Sequence, residues 1–226
     1  LLLSGRRADK WGHLLGTAMS AGSFAVGLYQ LSLMLDRPTE ERAIGQKLFT
    51  WISVGSFNVD AGLLLDQLSI CFVLLITGVG TLIHIYSISY MSHDENRRRF
   101  FAYLNLFIAA MLLLVLGNSY LNLYVGWEGV GLASYLLIGF WAHKPAAAAA
   151  AKKAFITTRI GDMALLLGMV WLYHQSGTLL FYDNGNGCLE TATLTKAFPI
   201  EDFGPMTLLG ISLLIFVGAM GKSGQF

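Results

Sequence analysis

Three ionisable side chains lie inside stretches that are otherwise apolar. Glu128 is surrounded by glycines and a tryptophan, Asp162 lies in the middle of a long apolar segment, and Lys222 follows an apolar run of fourteen residues. An ionisable group in hydrocarbon costs a few kcal/mol and persists mainly where function or pairing requires it. A buried carboxylate beside a buried amine governs whether the amine keeps its proton. Glu128 and Lys222 are therefore predicted to form a pair whose separation controls proton transfer.

The two carboxylates also have structural interpretations. Glu128 could join two helices through a salt bridge. Arg159 precedes Asp162 by three positions, the spacing of an ion pair on one helix face, and such a pair could serve only to orient the helix. Small residues allow close approach, so neighbouring backbone or water is expected to reach Glu128 beside the glycines at 126, 129 and 131.

Lys222 and His84 leave alternatives open as well. Lys222 could anchor a helix end at the membrane surface, but Gly221 and Gly224 favour a broken helix, whose unwound backbone is tolerated where it lines a polar cavity. His84 lies between two isoleucines and could relay protons, or could make an orienting hydrogen bond to a neighbouring helix. The aromatic residues near these charges, Trp127 and Trp141 among them, are predicted to serve packing or the membrane interface.

The composition places these groups in a membrane. Of the 226 residues, 55% are hydrophobic and 13% are charged, and the net charge of +1 does not suggest a nucleic-acid partner. Two distant cysteines provide neither a disulfide framework nor a cysteine-based metal site. A helix needs roughly 20 apolar residues to cross the bilayer. Six segments satisfy this length, at about 12–36, 67–91, 100–117, 120–141, 153–175 and 205–222, and residues 1–3 are expected to end a further helix of a longer protein.

The connections between these segments differ in charge. Lysine and arginine collect in cytoplasmic loops. Nine of them lie near 6–13, 92–99 and 142–152, whereas four lie in 37–66 and 176–204. The first set is therefore predicted to face the cytoplasm and the second set the other side. The loop 176–204 contains a strong turn signal at 183–187 and has room for a small hairpin, Asp66 is expected to cap a helix, and the alanine run at 146–151 is predicted to begin one.

Several of these stretches resemble the antiporter-like subunit L family of respiratory complex I, whose mitochondrial counterpart is NADH dehydrogenase subunit 5. The resemblance runs from about residue 59 to the end, and residues 1–58 resemble it only in hydropathy. The motifs that carry it are at 100–107, 126–141, 152–155, 158–162 and 221–225.

The resemblance implies a larger fold with two inverted repeats, each containing a broken helix. This chain would supply about seven transmembrane helices, with residues 1–58 as the first helices and outer loop and 59–226 as a helix bundle cut within the broken helix. The implied site consists of Glu128 as the membrane glutamate, Lys222 as the broken-helix lysine and Asp162 as a nearby acid, with Arg159 and His84 as further candidates.

The resemblance also implies a proton-translocating subunit of NADH:quinone oxidoreductase. On this interpretation NADH, FMN, iron-sulfur clusters and quinone bind other subunits, and the partners are membrane-arm subunits, especially a neighbouring antiporter-like subunit. A bacterial plasma membrane is favoured over the mitochondrial inner membrane. The alternatives are a multisubunit Na+/H+ antiporter, a membrane-bound hydrogenase subunit, and a scaffold that has lost the pump, although a scaffold would have no reason to keep both Glu128 and Lys222.

Overall fold

The computed structural model describes residues 8–55, 57–199 and 204–224. Within these residues the chain forms seven α-helices and one antiparallel pair of strands. In chain order the elements are α1 (Gly12–Leu35), β1 (Ile44–Val54), β2 (Phe57–Leu65), α2 (Gln67–Tyr90), α3 (Arg97–Leu116), α4 (Tyr120–Ile138), α5 (Pro145–Ser176), α6 (Thr191–Ala197) and α7 (Gly204–Ser223).

The six long helices coincide with the six predicted membrane segments. Five of them, all except α4, are long and apolar enough to cross a membrane. α4 is 19 residues long and carries Asn122 and Glu128. The prediction of an α-helical polytopic membrane protein is confirmed, while the helix expected at 1–3 lies outside the described residues. The sidedness predicted from the loop charges stays a prediction.

The helix ends follow local capping chemistry. Asp66 accepts the backbone N–H of Ser69 at 2.7 Å, and the Ser69 hydroxyl accepts the Asp66 N–H at 2.7 Å, which is the capping box of α2. Ser119 caps α4 by accepting the N–H of Asn122. α5 ends where Gly177 adopts the left-handed conformation, with φ 73°. The predicted cap at Asp66 is confirmed, and only residues 117–119 connect α3 to α4.

The connection between α1 and α2 contains the structure's antiparallel hairpin, β1–β2. The turn places Gly55 at φ 59°, a conformation that favours glycine, and Lys47 Nζ lies 2.7 Å from Asp60 Oδ2 across the strands. β1 is exposed along most of its length. In the connection 176–204 the predicted turn at 183–187 is present, and across it the N–H groups of Cys188 and Leu189 donate to the carbonyls of Leu180 and Phe181 before the short helix α6 begins.

A single carboxylate organises the turn that precedes α6. Glu190 accepts backbone N–H groups from Asp183 at 2.9 Å, from Gly185 at 2.8 Å and from Gly187. Hydrogen bonds to the ionised form favour it, so these three bonds hold the pKa of Glu190 below its ordinary value of 4.5.

This turn is expected to loosen in acid. Because the folded pKa of Glu190 is depressed, its stabilisation is complete above the ordinary pKa and is lost as the pH falls through the folded pKa. Hydrogen exchange of the amides at 183–187, expressed as protection factors, should show this loss. Glu190→Gln should lower the protection at neutral pH, whereas Asp183→Asn, which removes a neighbouring carboxylate but none of these bonds, should not. Protection that is independent of pH in the unmodified protein would contradict the prediction.

Candidate proton-transfer site

Four ionisable side chains from three helices form one cluster. Glu128 lies on α4, Arg159 and Asp162 on α5, and Lys222 on α7. Arg159 Nη1 pairs with Glu128 Oε2. Lys222 Nζ lies 3.5 Å from Asp162 Oδ2, and Arg159 Nη1 lies 4.0 Å from the same oxygen. When all four groups are ionised their formal charges cancel, and Asp162 Oδ2 is shared by both cations.

The cluster is buried unevenly. The side chain of Asp162 is 2% exposed, those of Lys222 and Glu128 are 18% and 20% exposed, and that of Arg159 is 37% exposed. The Lys222–Asp162 distance is at the outer limit of a hydrogen bond, so that pair is held mainly by Coulomb attraction, which is stronger in a poorly solvated site. Asp162 is therefore the most sheltered charge, and Arg159 is the most accessible.

Close packing of α5 against α7 brings Asp162 and Lys222 together. A Cβ placed on Gly161 would lie 3.0 Å from the Cα of Gly221. The two helices therefore approach almost backbone to backbone at these glycines, as small residues permit in membranes. The next residue in each helix is one of the two charges, so the crossing point itself sets the distance between Asp162 and Lys222.

Two of the three glycines around Glu128 lie against the neighbouring helix α3. A Cβ on Gly126 would lie 2.5 Å from the backbone nitrogen of Leu114, and one on Gly129 would lie 2.9 Å from the Cβ of Ala110. Both glycines therefore allow α3 to pack tightly against α4. Gly131 instead faces Lys222 Nζ.

One expectation about the charges was wrong. The ion pairs of the described residues join Glu128 to Arg159 and Lys222 to Asp162, rather than Glu128 to Lys222 directly. α5 begins at Pro145, eight residues before the apolar segment, which confirms the prediction that the alanine run begins a helix. Asp162 therefore lies 17 residues from the start and 14 from the end of α5, or ~26 Å and ~21 Å along its axis. It is near the centre of the helix, as its place in the middle of the apolar segment predicted.

Trp127 is a member of the site that sequence reasoning missed. Its indole Nε1–H donates a hydrogen bond of 2.7 Å to Asp162 Oδ1. The sequence analysis assigned this tryptophan to packing. A buried indole N–H usually finds a partner, and that rule together with the nearby acids was the available signal.

His84 lies on α2, outside this cluster. It is 1% exposed, its Nδ1–H donates to the Gly80 carbonyl at 2.7 Å, and its Nε2 accepts from the Asn105 amide on α3 at 3.0 Å. The structure thus contains the orienting bond to a neighbouring helix that was one of the two alternatives. A relay role for His84 stays a prediction.

Lys222 lies in the last turn of α7. α7 ends at Ser223, and Gly224 follows with φ 63°. A helix that resumes beyond this point, as the broken-helix hypothesis requires, would lie outside the described residues and stays a prediction.

Comparisons with known proteins agree with the motifs in the sequence. Residues 51–101 match the family described as NADH-ubiquinone oxidoreductase (complex I), chain 5 N-terminus. Residues 117–226 match the family described as NADH:quinone oxidoreductase/Mrp antiporter, TM. All of the residues in the charge cluster fall within the second match.

Curated relatives extend the similarity over the whole chain. NADH-quinone oxidoreductase subunit L of Mycobacterium tuberculosis (strain CDC 1551 / Oshkosh) is 55% identical over 225 residues, which cover 100% of this chain and 34% of the relative. Subunit L of Escherichia coli (strain K12) is 46% identical over 185 residues, or 82% of this chain and 29% of the relative. The chain thus spans about a third of the length of these relatives. The expectation that residues 1–58 resemble the family only in hydropathy was wrong.

The fold also has a solved counterpart. The chain matches the structure of the Mrp complex from Dietzia sp. DQ12-45-1b with a TM-score of 0.73 and 23% identity, over 95% of this chain and 21% of that one. At this identity the match shows a shared fold.

Proposed function

This chain belongs to the antiporter-like subunit L and subunit 5 family of NADH:quinone oxidoreductases, and from that membership we propose that it carries a proton-translocating site of the membrane domain. Electron transfer from NADH to quinone takes place in other subunits, which hold FMN and the iron-sulfur clusters. The partners are other membrane-arm subunits, among them a neighbouring antiporter-like subunit, and the membrane is the bacterial plasma membrane. Residues 1–58 and 59–226 form the two parts of the segment, with the division inside β2.

The observation that carries the proposal is the sharing of Asp162 Oδ2 by two cations. Arg159 Nη1 pairs with Glu128 and is also within 4.0 Å of Asp162, while Lys222 is within 3.5 Å of Asp162. Arginine keeps its proton in proteins, whereas lysine loses its proton readily when buried. The cluster therefore combines one permanent cation with one cation that can be discharged.

Two arrangements of the ion pairs provide a proton-transfer cycle. In the first, Arg159 neutralises Glu128 and Asp162 neutralises Lys222, as in the structure. In the second, Arg159 moves to Asp162, which leaves Glu128 without a cation and places a second positive charge next to Lys222. The Lys222 ammonium then releases a proton to become an amine, and the Glu128 carboxylate takes up a proton to become a carboxylic acid. When Arg159 returns to Glu128, Glu128 releases its proton and the Lys222 amine takes up a proton.

The free energy for this exchange must arrive from outside the chain. Coupling between distant sites requires a two-state element whose equilibrium both sites bias. The alternating position of Arg159 is that element in our proposal, and a neighbouring membrane subunit biases it. The separation between Glu128 and Lys222, which the sequence suggested as the variable, would change as a consequence.

The assembled complex in inside-out vesicles provides the test. Glu128→Gln should lower the number of protons moved per NADH oxidised about threefold to tenfold, because Arg159 loses its partner and remains at Asp162. NADH-driven acidification and NADH oxidation are measured on the same vesicles, with the amount of assembled complex as the reference. Glu41→Gln, which removes an exposed carboxylate outside the cluster, is the matched control and should leave the ratio unchanged.

Two results would contradict the proposal. An unchanged ratio in Glu128→Gln would reduce Glu128 to a packing residue. Vesicles with the unmodified complex that show no NADH-driven acidification, but exchange Na+ for protons, would instead identify a multisubunit Na+/H+ antiporter.

A further inference from the structure

The amine of Lys222 lies against one small area of α4. A Cβ placed on Gly131 would be 2.6 Å from Lys222 Nζ. Lys222 Nζ is also 5.8 Å from the centroid of the Trp127 ring. Trp127 and Gly131 are four positions apart and therefore lie on one face of the helix. The amine thus fits where one residue has no side chain and the other presents an aromatic ring.

Trp127 contacts both members of the Lys222–Asp162 pair. Its indole N–H donates to Asp162 Oδ1 at 2.7 Å, which leaves Oδ2 as the oxygen nearest to Lys222, at 3.5 Å. A hydrogen bond to a carboxylate fixes its orientation and favours its ionised form. The ring attracts the ammonium through a cation–π interaction. One side chain therefore orients the anion and helps to hold the cation.

We propose that Trp127 and Gly131 form a seat on α4 that positions the Lys222 ammonium against Asp162 and away from Glu128. They are positioning residues, since they act through Lys222 and Asp162. Around this seat the charged and titratable neighbours are Glu128, Arg159 and the Tyr124 hydroxyl on α4. The proposal rests on the proposed function, because it explains why the resting arrangement of the cycle pairs Lys222 with Asp162.

The chain contains a second trio of the same chemistry at another place. Trp141 Nε1–H donates to Asp94 Oδ2 at 2.9 Å, and Lys144 Nζ lies 4.9 Å from the Trp141 ring centroid. This trio joins the connection before α3 to the connection between α4 and α5 and includes none of the cluster residues. It therefore controls for the loss of a tryptophan–aspartate bond as such.

The test compares Trp127→Phe and Gly131→Ala in the assembled complex. The phenylalanine keeps an aromatic ring but removes the donor, and the alanine methyl displaces the lysine amine. Both variants should lower the protons moved per NADH oxidised about threefold to tenfold. Trp127→Phe should also shift the pH profile of this ratio by about one pH unit, the shift expected when a charged group loses one hydrogen bond.

Two matched controls separate positioning from packing. Trp141→Phe removes the equivalent bond of the second trio, and Gly129→Ala places a methyl against Ala110 on α3. Both should leave the ratio and its pH profile unchanged in complexes that assemble. If Trp127→Phe reduces assembly, Gly131→Ala decides the test alone.

Lys222→Met distinguishes a failure of the seat from a failure of the proposed function. If Lys222→Met leaves pumping intact, the proposed function itself is overturned. If Lys222→Met abolishes pumping while Trp127→Phe and Gly131→Ala keep the normal ratio and profile, only the seat is overturned. In the Lys222→Met background, Trp127→Phe should cause no further loss, because a residue that acts through Lys222 has nothing left to position.

Discussion

Lys222→Met is expected to lower the number of protons moved per NADH oxidised by more than about tenfold, the effect of losing a step worth ~1.4 kcal/mol or more. Methionine keeps much of the apolar stem but removes the one cation of the cluster that can release a proton. The carboxylate of Asp162, which is 2% exposed, then has only Arg159 as a nearby cation, at 4.0 Å. Removing one partner of a buried ion pair typically costs ~3–5 kcal/mol, so the amount of assembled complex should fall as well.

The measurement separates these two effects. Acidification and NADH oxidation are compared in inside-out vesicles that contain equal amounts of assembled complex. Lys144→Met, which removes a lysine stacked over Trp141 outside the cluster, is the control and should behave as the unmodified complex. A Lys222→Met complex that assembles and pumps normally would show that this lysine is only a structural anchor.

Lys222→Met is expected to lower the amount of assembled complex more than Glu128→Gln does, because the charges that the two variants leave unpaired differ in exposure. Glu128 and Arg159 are 20% and 37% exposed, so solvent screens part of their attraction. Asp162 has almost no access to solvent. An unpaired charge at Asp162 is therefore more costly than one at Arg159, which fixes the predicted order of the variants.

The membrane helices could be predicted closely because their signals are local. Helix length is set by the bilayer, and helix ends are set by nearby residues such as Asp66 and Ser119. The alanine run, a strong helix former, likewise marked the start of α5 ahead of its apolar span.

The members of the charge cluster could also be predicted, but their pairing could not. The cost of a charge in hydrocarbon identifies Glu128, Asp162 and Lys222 from the sequence alone. Which carboxylate meets which cation depends on the helix crossing at Gly161 and Gly221, a contact between residues sixty positions apart. Sequence spacing within one helix gave only the Arg159–Asp162 relation, which is the longer contact in the structure.

The hairpin β1–β2 was missed for a different reason. Residues 37–66 were predicted to be a loop between two membrane helices, and their charges were used only to predict which side of the membrane they face. The two strands are joined by a turn at Gly55 and by the ion pair of Lys47 with Asp60. The ion pair forms only once the strands are paired, so the sequence alone did not indicate it. The same limit applies to Trp127, whose partner is 35 positions away in the chain.

Combining Asp162→Asn with Lys222→Met is expected to restore assembly but not pumping. Each single change leaves an unpaired charge in the bundle, whereas the double change removes both charges together. Replacing a buried ion pair by neutral groups is often neutral or stabilising, while removing one partner is strongly destabilising. The amount of assembled complex should therefore be several times higher in the double variant than in Lys222→Met alone.

Pumping should respond in the opposite way, because neutral side chains at 162 and 222 give the cluster no proton to release and no anion for Arg159 to move to. The ratio of protons moved to NADH oxidised should stay at the low level of Lys222→Met. A control pair, Lys47→Met with Asp60→Asn, removes the exposed ion pair of the hairpin and should affect neither quantity.

The outcomes of the double variant distinguish a structural pair from a working one. Recovery of both assembly and pumping would mean that Asp162 and Lys222 serve only to hold α5 and α7 together. Losses of assembly that simply add would mean that the two charges do not act as a pair, since interacting residues give non-additive effects. Only recovery of assembly without recovery of pumping agrees with a buried charge pair that is kept because one of its members must give up a proton.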